Sequence, residues 1–321
     1  MIISKKRRLN TFLVDLSKRL RLSYNLGKPK ILSIETINRC NLACAICYLG
    51  NGKIDRKAAV MPFKNAKMII DQTYVYCETL YFALWGETFL PNNKDVYNII
   101  RYARDKGISR IIAATNGHFF DDSSIKNILS SGITDLIISI DGMTQETYSR
   151  YRRRGVLEKV INGVQLLVEQ HHKLDSTMGI ILQFIVFRHN QHEIEQFKAV
   201  AQSLGVGYSL KAPYVQDMAQ ASEMLPDDDQ YWRYYIQNGE LKLKFFRDGA
   251  LCYEPYEVLT VYADGQVAGC CFDYNLEYRI GNCFEKPVRV VWNGKAMREL
   301  RRKLLQDRNS IPFCRLRCGR Y

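Results

Sequence analysis

From residue 31 onward the chain alternates between two hydrophobic periods. Continuous apolar, β-branched runs at 31–36, 79–85, 110–116, 133–141, 178–187 and 206–211 read as buried strands. Between them, segments 64–77, 94–106, 122–131, 157–171 and 191–204 repeat apolar residues at helical spacing. Such repetition predicts parallel strands joined by right-handed crossovers. Six units fall short of an eight-stranded barrel, so the expected architecture is α/β, a partial (β/α)6 barrel over residues 31–212. Ahead of it, in residues 1–30, Leu9, Phe12, Leu13, Leu16 and Leu20 follow Lys5-Lys6-Arg7-Arg8 at helical spacing, predicting a basic amphipathic helix. Residues 213–250, with Pro213, Pro226 and Asp227-Asp228-Asp229, read as a linker containing a helix. Residues 251–321 read as a small module, built from a hairpin over 256–271 that turns at Ala263-Asp264-Gly265 and a basic helix at 295–305.

Sites in such sheets form at the C-terminal ends of strands, and polar residues gather there. The first strand runs into Cys40-Asn41-Leu42-Ala43-Cys44-Ala45-Ile46-Cys47, and the second ends at Leu84-Trp85-Gly86-Glu87-Thr88. The third ends at Thr115-Asn116-Gly117 and the fourth at Ser139-Ile140-Asp141-Gly142, while the fifth carries Gln183 in an otherwise apolar run. Singly these are ordinary turn residues; at matching edges of one sheet they read as the wall of a pocket. Three thiols within eight residues can converge on one metal centre. A structural tetrahedral site takes four protein ligands, whereas an open position serves chemistry. Iron–sulfur clusters are normally held by four cysteines, so the trio needs either a distant fourth ligand or an iron left open to substrate or cofactor.

A hydrophobic content of 47% and a charged content of 25% are ordinary for a globular protein. No apolar run approaches the length of a membrane span, and no signal peptide is apparent. The expectation is a soluble, cytoplasmic protein, in which ten cysteines mean metal ligation rather than disulfides. The net charge of +13 is concentrated at the ends: residues 1–30 carry +8, residues 286–321 carry +9 and the segment between carries −4. An anionic partner would explain this, and so would solvated surface charge. No aromatic-interleaved motif points to nucleic acid, which is not expected as a partner. The N-terminal helix has the character of one that makes peripheral contact with an anionic membrane; the rule that apolar stripes face the core favours packing on its own domain instead.

Cys-x3-Cys-x2-Cys after the first strand of a six-fold βα repeat, with the strand-end motifs above, resembles the radical S-adenosylmethionine (SAM) superfamily over residues 31–211. Cys252-x12-Gly265-x4-Cys270 with Cys314-x3-Cys318 resembles the SPASM/twitch extension, which holds an auxiliary [4Fe–4S] cluster. The resemblance implies that Cys40, Cys44 and Cys47 hold three irons of a [4Fe–4S] cluster and that SAM chelates the fourth. Gly86-Glu87 matches the family's Gly-Gly-Glu element, with Trp85 in place of the first glycine. Thr115, Asn116, Ser139 and Asp141 stand where ribose and methionyl contacts are usual, and Ile46 stands where an aromatic residue is common. Arg152 stands where a basic residue pairs with the SAM carboxylate, with Arg153 and Arg154 as competitors and Gln183 as a further contact. Cys252, Cys270, Cys314 and Cys318 would hold the auxiliary cluster; on ligand chemistry alone, a structural zinc competes for these four.

The implied activity is reductive cleavage of SAM to a 5′-deoxyadenosyl radical that abstracts a hydrogen atom from a small polar or carbohydrate-type substrate, in an oxidation or an epimerisation. The partner implied is an external electron donor such as flavodoxin or ferredoxin. Maturation of a ribosomal precursor peptide is the alternative, against which stands the short stretch before the first strand. A reading from another class is a non-catalytic iron–sulfur or zinc protein that binds nucleic acid or membrane through its basic ends. Cys77 and Cys283 read as core residues. Cys271 adjoins Cys270, and strand alternation would point the two opposite ways. That leaves Cys271 to pack, to replace Cys270 as ligand, or to donate a hydrogen atom to a substrate radical.

Overall fold

The computed structural model describes residues 2–244, 251–315 and 318. Six parallel strands form as the hydrophobic runs predict: β1 (Ile31–Ile34), β2 (Thr79–Phe82), β3 (Arg110–Thr115), β4 (Asp135–Ser139), β5 (Gly179–Ile185) and β6 (Gly207–Lys211). They pair in sequential order, each to the next, as right-handed βα units require. The strands are shorter than the apolar runs at their C-terminal ends, because residues such as Ala83 to Gly86 leave the ladder to wall the site. The crossovers are α2 (Phe63–Thr73), α3 (Val96–Asp105), α4 (Asp122–Ser131), α5 (Gln145–Tyr151) with α6 (Leu157–Lys173), and α7 (Ile194–Ser203). Local chemistry sets their ends. The Asp121 carboxylate accepts the Ser124 N–H at 2.7 Å to start α4, and Gly132, at φ 101°, ends it in the left-handed region. Leu32, Leu80, Ile111, Leu136 and Leu182 lie fully buried between sheet and helices; each contributes roughly 2 kcal/mol of hydrophobic stabilisation. Cys77 and Cys283 belong to this core, as the sequence leads one to expect.

After β6 come α8 (Met218–Met224) and a separate hairpin, β7 (Tyr234–Gln237) with β8 (Glu240–Leu243), so the segment expected as a linker is more ordered than its prolines imply. Residues 245–250 of it lie outside the described residues. The C-terminal hairpin is not set apart from the barrel. Beyond the short α9 (Glu254–Glu257), β9 (Val258–Val261) pairs parallel to β1, from Ile31 with Val258 to Ile34 with Val261. Then β10 (Gln266–Ala268) and β11 (Arg279–Asn282) follow antiparallel, giving one nine-stranded sheet in the order β11-β10-β9-β1-β2-β3-β4-β5-β6. The helices α10 (Val288–Trp292), α11 (Lys295–Gln306) and α12 (Pro312–Arg315) close this end.

The N-terminal helix α1 (Ile2–Arg19) packs on the domain, but through an unexpected face. Asn10, Val14 and Ser17 are buried, with Asn10 bonding both the N–H and the carbonyl of Lys28. Its Arg7 donates to the carbonyls of Tyr74 and Gly107, in the turns that lead into β2 and β3. The apolar stripe that was expected to face the core instead leaves Leu9, Phe12 and Leu20 outside. Polar anchoring, with three hydrogen-bonding residues fitted to specific carbonyls, has fixed the helix's rotation. Among the described residues no helix is long and apolar enough to cross a membrane.

Candidate functional site

The cysteine loop that follows β1 is folded back by its own backbone and by the loop after α5. Cys47 N–H bonds the Cys44 carbonyl at 3.2 Å, while Ala43 and Ala45 donate to the carbonyls of Arg153 and Tyr151. A Cβ on Gly50 would stand 2.5 Å from the Cys44 nitrogen, so the loop closes only around a glycine there. Gly86 answers a similar demand. A Cβ on it would lie 1.9 Å from the Ile37 carbonyl oxygen, and the neighbouring Glu87 N–H bonds the Arg39 carbonyl at 2.8 Å. These contacts hold the end of β2 against the cysteine loop.

One cavity is lined by Cys40, Cys44 and Cys47 together with Gly86, Glu87, Thr115, Asn116, Ser139 and Arg152. Glu87 is buried and fully engaged: it accepts from the Thr115 hydroxyl at 2.6 Å, the Asn116 N–H at 2.8 Å and the Phe89 N–H at 3.2 Å. Burial pushes its carboxyl up from the ordinary value, and these hydrogen bonds oppose the shift. Asn116 turns its side-chain N–H to Asn41 at 2.8 Å. Arg152 lies with Nε 2.5 Å from Asp141 and Nη1 3.7 Å from the Cys44 sulfur. Burial works against its charge, but Asp141 and the nearby thiols more than offset that, and its pKa is raised.

Eight of the expected site residues thus meet with the backbone of Gly86 in one place, and the remaining two do not. Asp141 is fully buried behind Arg152, its other oxygen accepting the Ile185 N–H at 2.6 Å, so it orients the guanidinium rather than facing the cavity. Gln183 lines a second cavity of about 300 Å3. Arg153 lines neither of these two cavities. The second cavity adjoins the first through Ala83, Leu84 and Trp85 and reaches Cys271, Phe272, Tyr214, Lys211 and Arg233.

Cys252, Cys270, Cys314 and Cys318 form the second thiol set. Burial pushes the thiols of Cys252 and Cys314 up, and the charges of Cys270 and Cys318 push each further. Cys270 and Cys271 lie beyond the end of β10, in a bend, so strand alternation does not separate them as expected; their sulfurs, with a Glu254 carboxylate oxygen, lie within 4.8 Å of one another. A single zinc ion about 2.3 Å from each sulfur draws its ligands to about 4 Å apart. Among the described residues only Glu254, Cys270 and Cys271 bring three such ligand atoms within 4.8 Å of one another. Neither the trio nor any three thiols of the quartet are drawn together to that spacing among the described residues.

The element that sequence reasoning missed is the aromatic joint between the two thiol sets. The indole N–H of Trp85 donates to the Cys271 carbonyl at 3.0 Å. Tyr48 stacks on Tyr274 at 3.9 Å between ring centroids and meets Trp85 edge-on, while the Tyr214 hydroxyl donates to the Ile46 carbonyl at 2.9 Å. Trp85 replacing a glycine was the available signal.

Two family profiles match: "Radical SAM superfamily" over residues 34–197 and "Iron-sulfur cluster-binding domain" (SPASM) over 252–319. The chain belongs to the radical SAM superfamily. Its cofactors are SAM and [4Fe–4S] clusters, as the two domains imply. Among relatives, the AdoMet-dependent heme synthase of Methanosarcina barkeri is 26% identical over 309 residues, covering 85% of each chain. Among solved structures, SuiB of Streptococcus suis bound to S-adenosylmethionine superposes with a TM-score of 0.67 at 16% identity, over 91% of this chain and 71% of SuiB. BtrN in complex with AdoMet and 2-DOIA gives 0.56 at 14% identity, over 91% and 93%. At these identities the structures speak for the radical SAM fold.

Proposed function

We propose that this radical SAM enzyme acts on a small polar substrate bearing an anionic group, held in the second cavity between the two thiol sets. In this reading Cys40, Cys44 and Cys47 hold the SAM-binding cluster, Gly86, Glu87, Thr115, Asn116, Ser139 and Arg152 cradle SAM, and Asp141 keeps Arg152 in place. Cys252, Cys270, Cys314 and Cys318 hold the auxiliary cluster. The cluster that Cys40, Cys44 and Cys47 would hold, reduced by an external one-electron donor, would supply reductive cleavage of SAM and hence hydrogen-atom abstraction from a substrate in the adjoining cavity.

The observation that carries the reading is the second cavity itself. It runs from Ile46 of the cysteine loop to Cys271, and its size, about 300 Å3, suits a small molecule. Lys211 opens into it beside Arg233; surrounding protein and the Arg233 charge both lower the Lys211 pKa, and a bound anion would relieve that repulsion. Gln183 adds neutral hydrogen-bonding capacity to the lining, and Trp85, Tyr214 and Phe272 give it aromatic surface.

Anaerobic assay of 5′-deoxyadenosine formation with candidate substrates tests the proposal. Acidic sugars or amino-acid-like substrates should stimulate cleavage, and Lys211→Ala should raise KM for them by about tenfold while leaving substrate-free cleavage intact. Equal KM values in the two proteins would remove the anionic reading. Product mass in deuterated buffer then separates the outcomes: loss of two hydrogens marks oxidation, and one deuterium gained without mass loss marks epimerisation. Precursor-peptide maturation stays as the second reading, because a structure of SuiB is bound to precursor peptide SuiA. Stimulation by peptides alone would select it.

A further inference from the structure

The outward face of α1 has no role in the catalytic reading and is not demanded by packing. The helix is anchored through Asn10, Val14 and Ser17, yet it carries Leu9, Phe12 and Leu20 on its outer side with about three-fifths of their surfaces exposed. These three recur at helical spacing and form a ridge rather than a groove. Exposed Lys5, Arg8 and Arg19 flank the ridge, with Lys6 on its other side. Among the described residues, Lys18 is the basic side chain of α1 that meets carboxylates, with Asp15 at 2.7 Å and Glu257 at 2.5 Å.

The fold also brings the two basic ends of the chain together. Arg301 of α11 donates to the Ser23 carbonyl at 3.3 Å, and Arg21 donates to the Leu305 carbonyl at 3.4 Å. Lys295, Arg298 and Arg302 stand exposed on α11 at i, i+3 and i+7. Tyr24, in the segment after α1, is also half exposed. An apolar ridge bordered by cations on both sides is the form of a helix lying in a bilayer interface, with apolar side chains among the acyl chains and basic ones among anionic headgroups.

We propose that α1, with the adjoining face of α11, is a docking surface for anionic phospholipid membranes, into which Leu9, Phe12 and Leu20 insert. The occupant is a lipid surface because exposed apolar side chains and exposed cations stand together on this face, matching acyl chains and anionic headgroups at once. Docked in this way, the enzyme turns its cavities away from the bilayer, since Arg7 fastens α1 to the turns that enter β2 and β3, at the opposite ends of the strands from the cysteine loop.

Co-sedimentation of the full-length protein, reconstituted with its clusters, tests this with vesicles of phosphatidylglycerol and phosphatidylcholine against pure phosphatidylcholine. Binding is expected on the anionic vesicles, weaker by about tenfold or more on the neutral ones and on raising the salt. The Leu9→Ser/Phe12→Ser double variant should bind at least about tenfold more weakly while cleaving SAM at the wild-type rate, which reports that it is folded. Fluorescence of the Phe12→Trp variant should shift to the blue on anionic vesicles. Failure of the wild type to sediment, equal binding by the double variant, or an unshifted emission on anionic vesicles would each overturn the proposal, the first of these leaving the face to an acidic protein.

Discussion

Glu87 and His118 show how single residues are committed by their hydrogen bonds. His118 accepts the Val156 N–H at Nε2, 2.9 Å away, so its proton sits on Nδ1, facing the Asn116 carbonyl at 3.1 Å. It ties the Asn116 wall to the segment that follows Arg152. Burial lowers its pKa from the ordinary value. The unfolded chain therefore binds a proton that the folded chain refuses, and stability falls as the pH drops from about 6.5 toward the lowered value. Above about 6.5 the contribution is fully present. Urea midpoints between acid and neutral pH should show a shallower loss for His118→Gln, whose amide oxygen can accept from Val156 without titrating. Gly86→Ala gives a second prediction at this scale. With the Ile37 carbonyl 1.9 Å from the new methyl, the β2 end must move off the cysteine loop. We expect a loss of about 1–3 kcal/mol in stability and weaker SAM binding, read by thermal melts and equilibrium dialysis.

The elements were unequally legible in the sequence. Strands β1 to β5 announced themselves as apolar, β-branched runs in which at least every second residue is buried, whereas the edge strand β6 is half-buried to exposed. The convergence of the trio was legible because its thiols are neighbours along the chain, and that of Glu87, Thr115 and Asn116 because strand ends of a parallel sheet meet at one edge. Asp141 and Gln183 were placed at the right edge but not in the right cavity, since their directions depend on Arg152 and on how β5 meets β6. The rotation of α1 was hidden because Asn10 and Ser17 find their partners only in tertiary structure. Trp85 was noticed as a departure, but its reach to Cys271 crosses the molecule. Replacing it by phenylalanine keeps the ring and removes one hydrogen bond, at a cost of about 1 kcal/mol. The expected signature is a changed electron paramagnetic resonance spectrum of the auxiliary cluster beside an unchanged one from the cluster at residues 40–47.

At the scale of the molecule, two thiol sets, one in each matched domain, predict two separate clusters. Iron analysis should give about eight irons per chain, falling to about four when Cys40, Cys44 and Cys47 are all changed to alanine, and again to about four for the corresponding quartet variant. An unaltered count in either variant would refute the assignment.

The parallel pairing of Ile31 with Val258 has a consequence for the order in which the protein comes into being. During synthesis the partner of one edge of β1, β2, follows within about fifty residues, whereas the partner of its other edge, β9, lies more than two hundred residues beyond β1. A bare, apolar, parallel edge is slow to pair and prone to associate with its like. The cysteine loop therefore leaves a strand whose two edges are closed by segments far apart in the chain, and the seam with β9 is the contact of β1 that costs the most chain entropy to make.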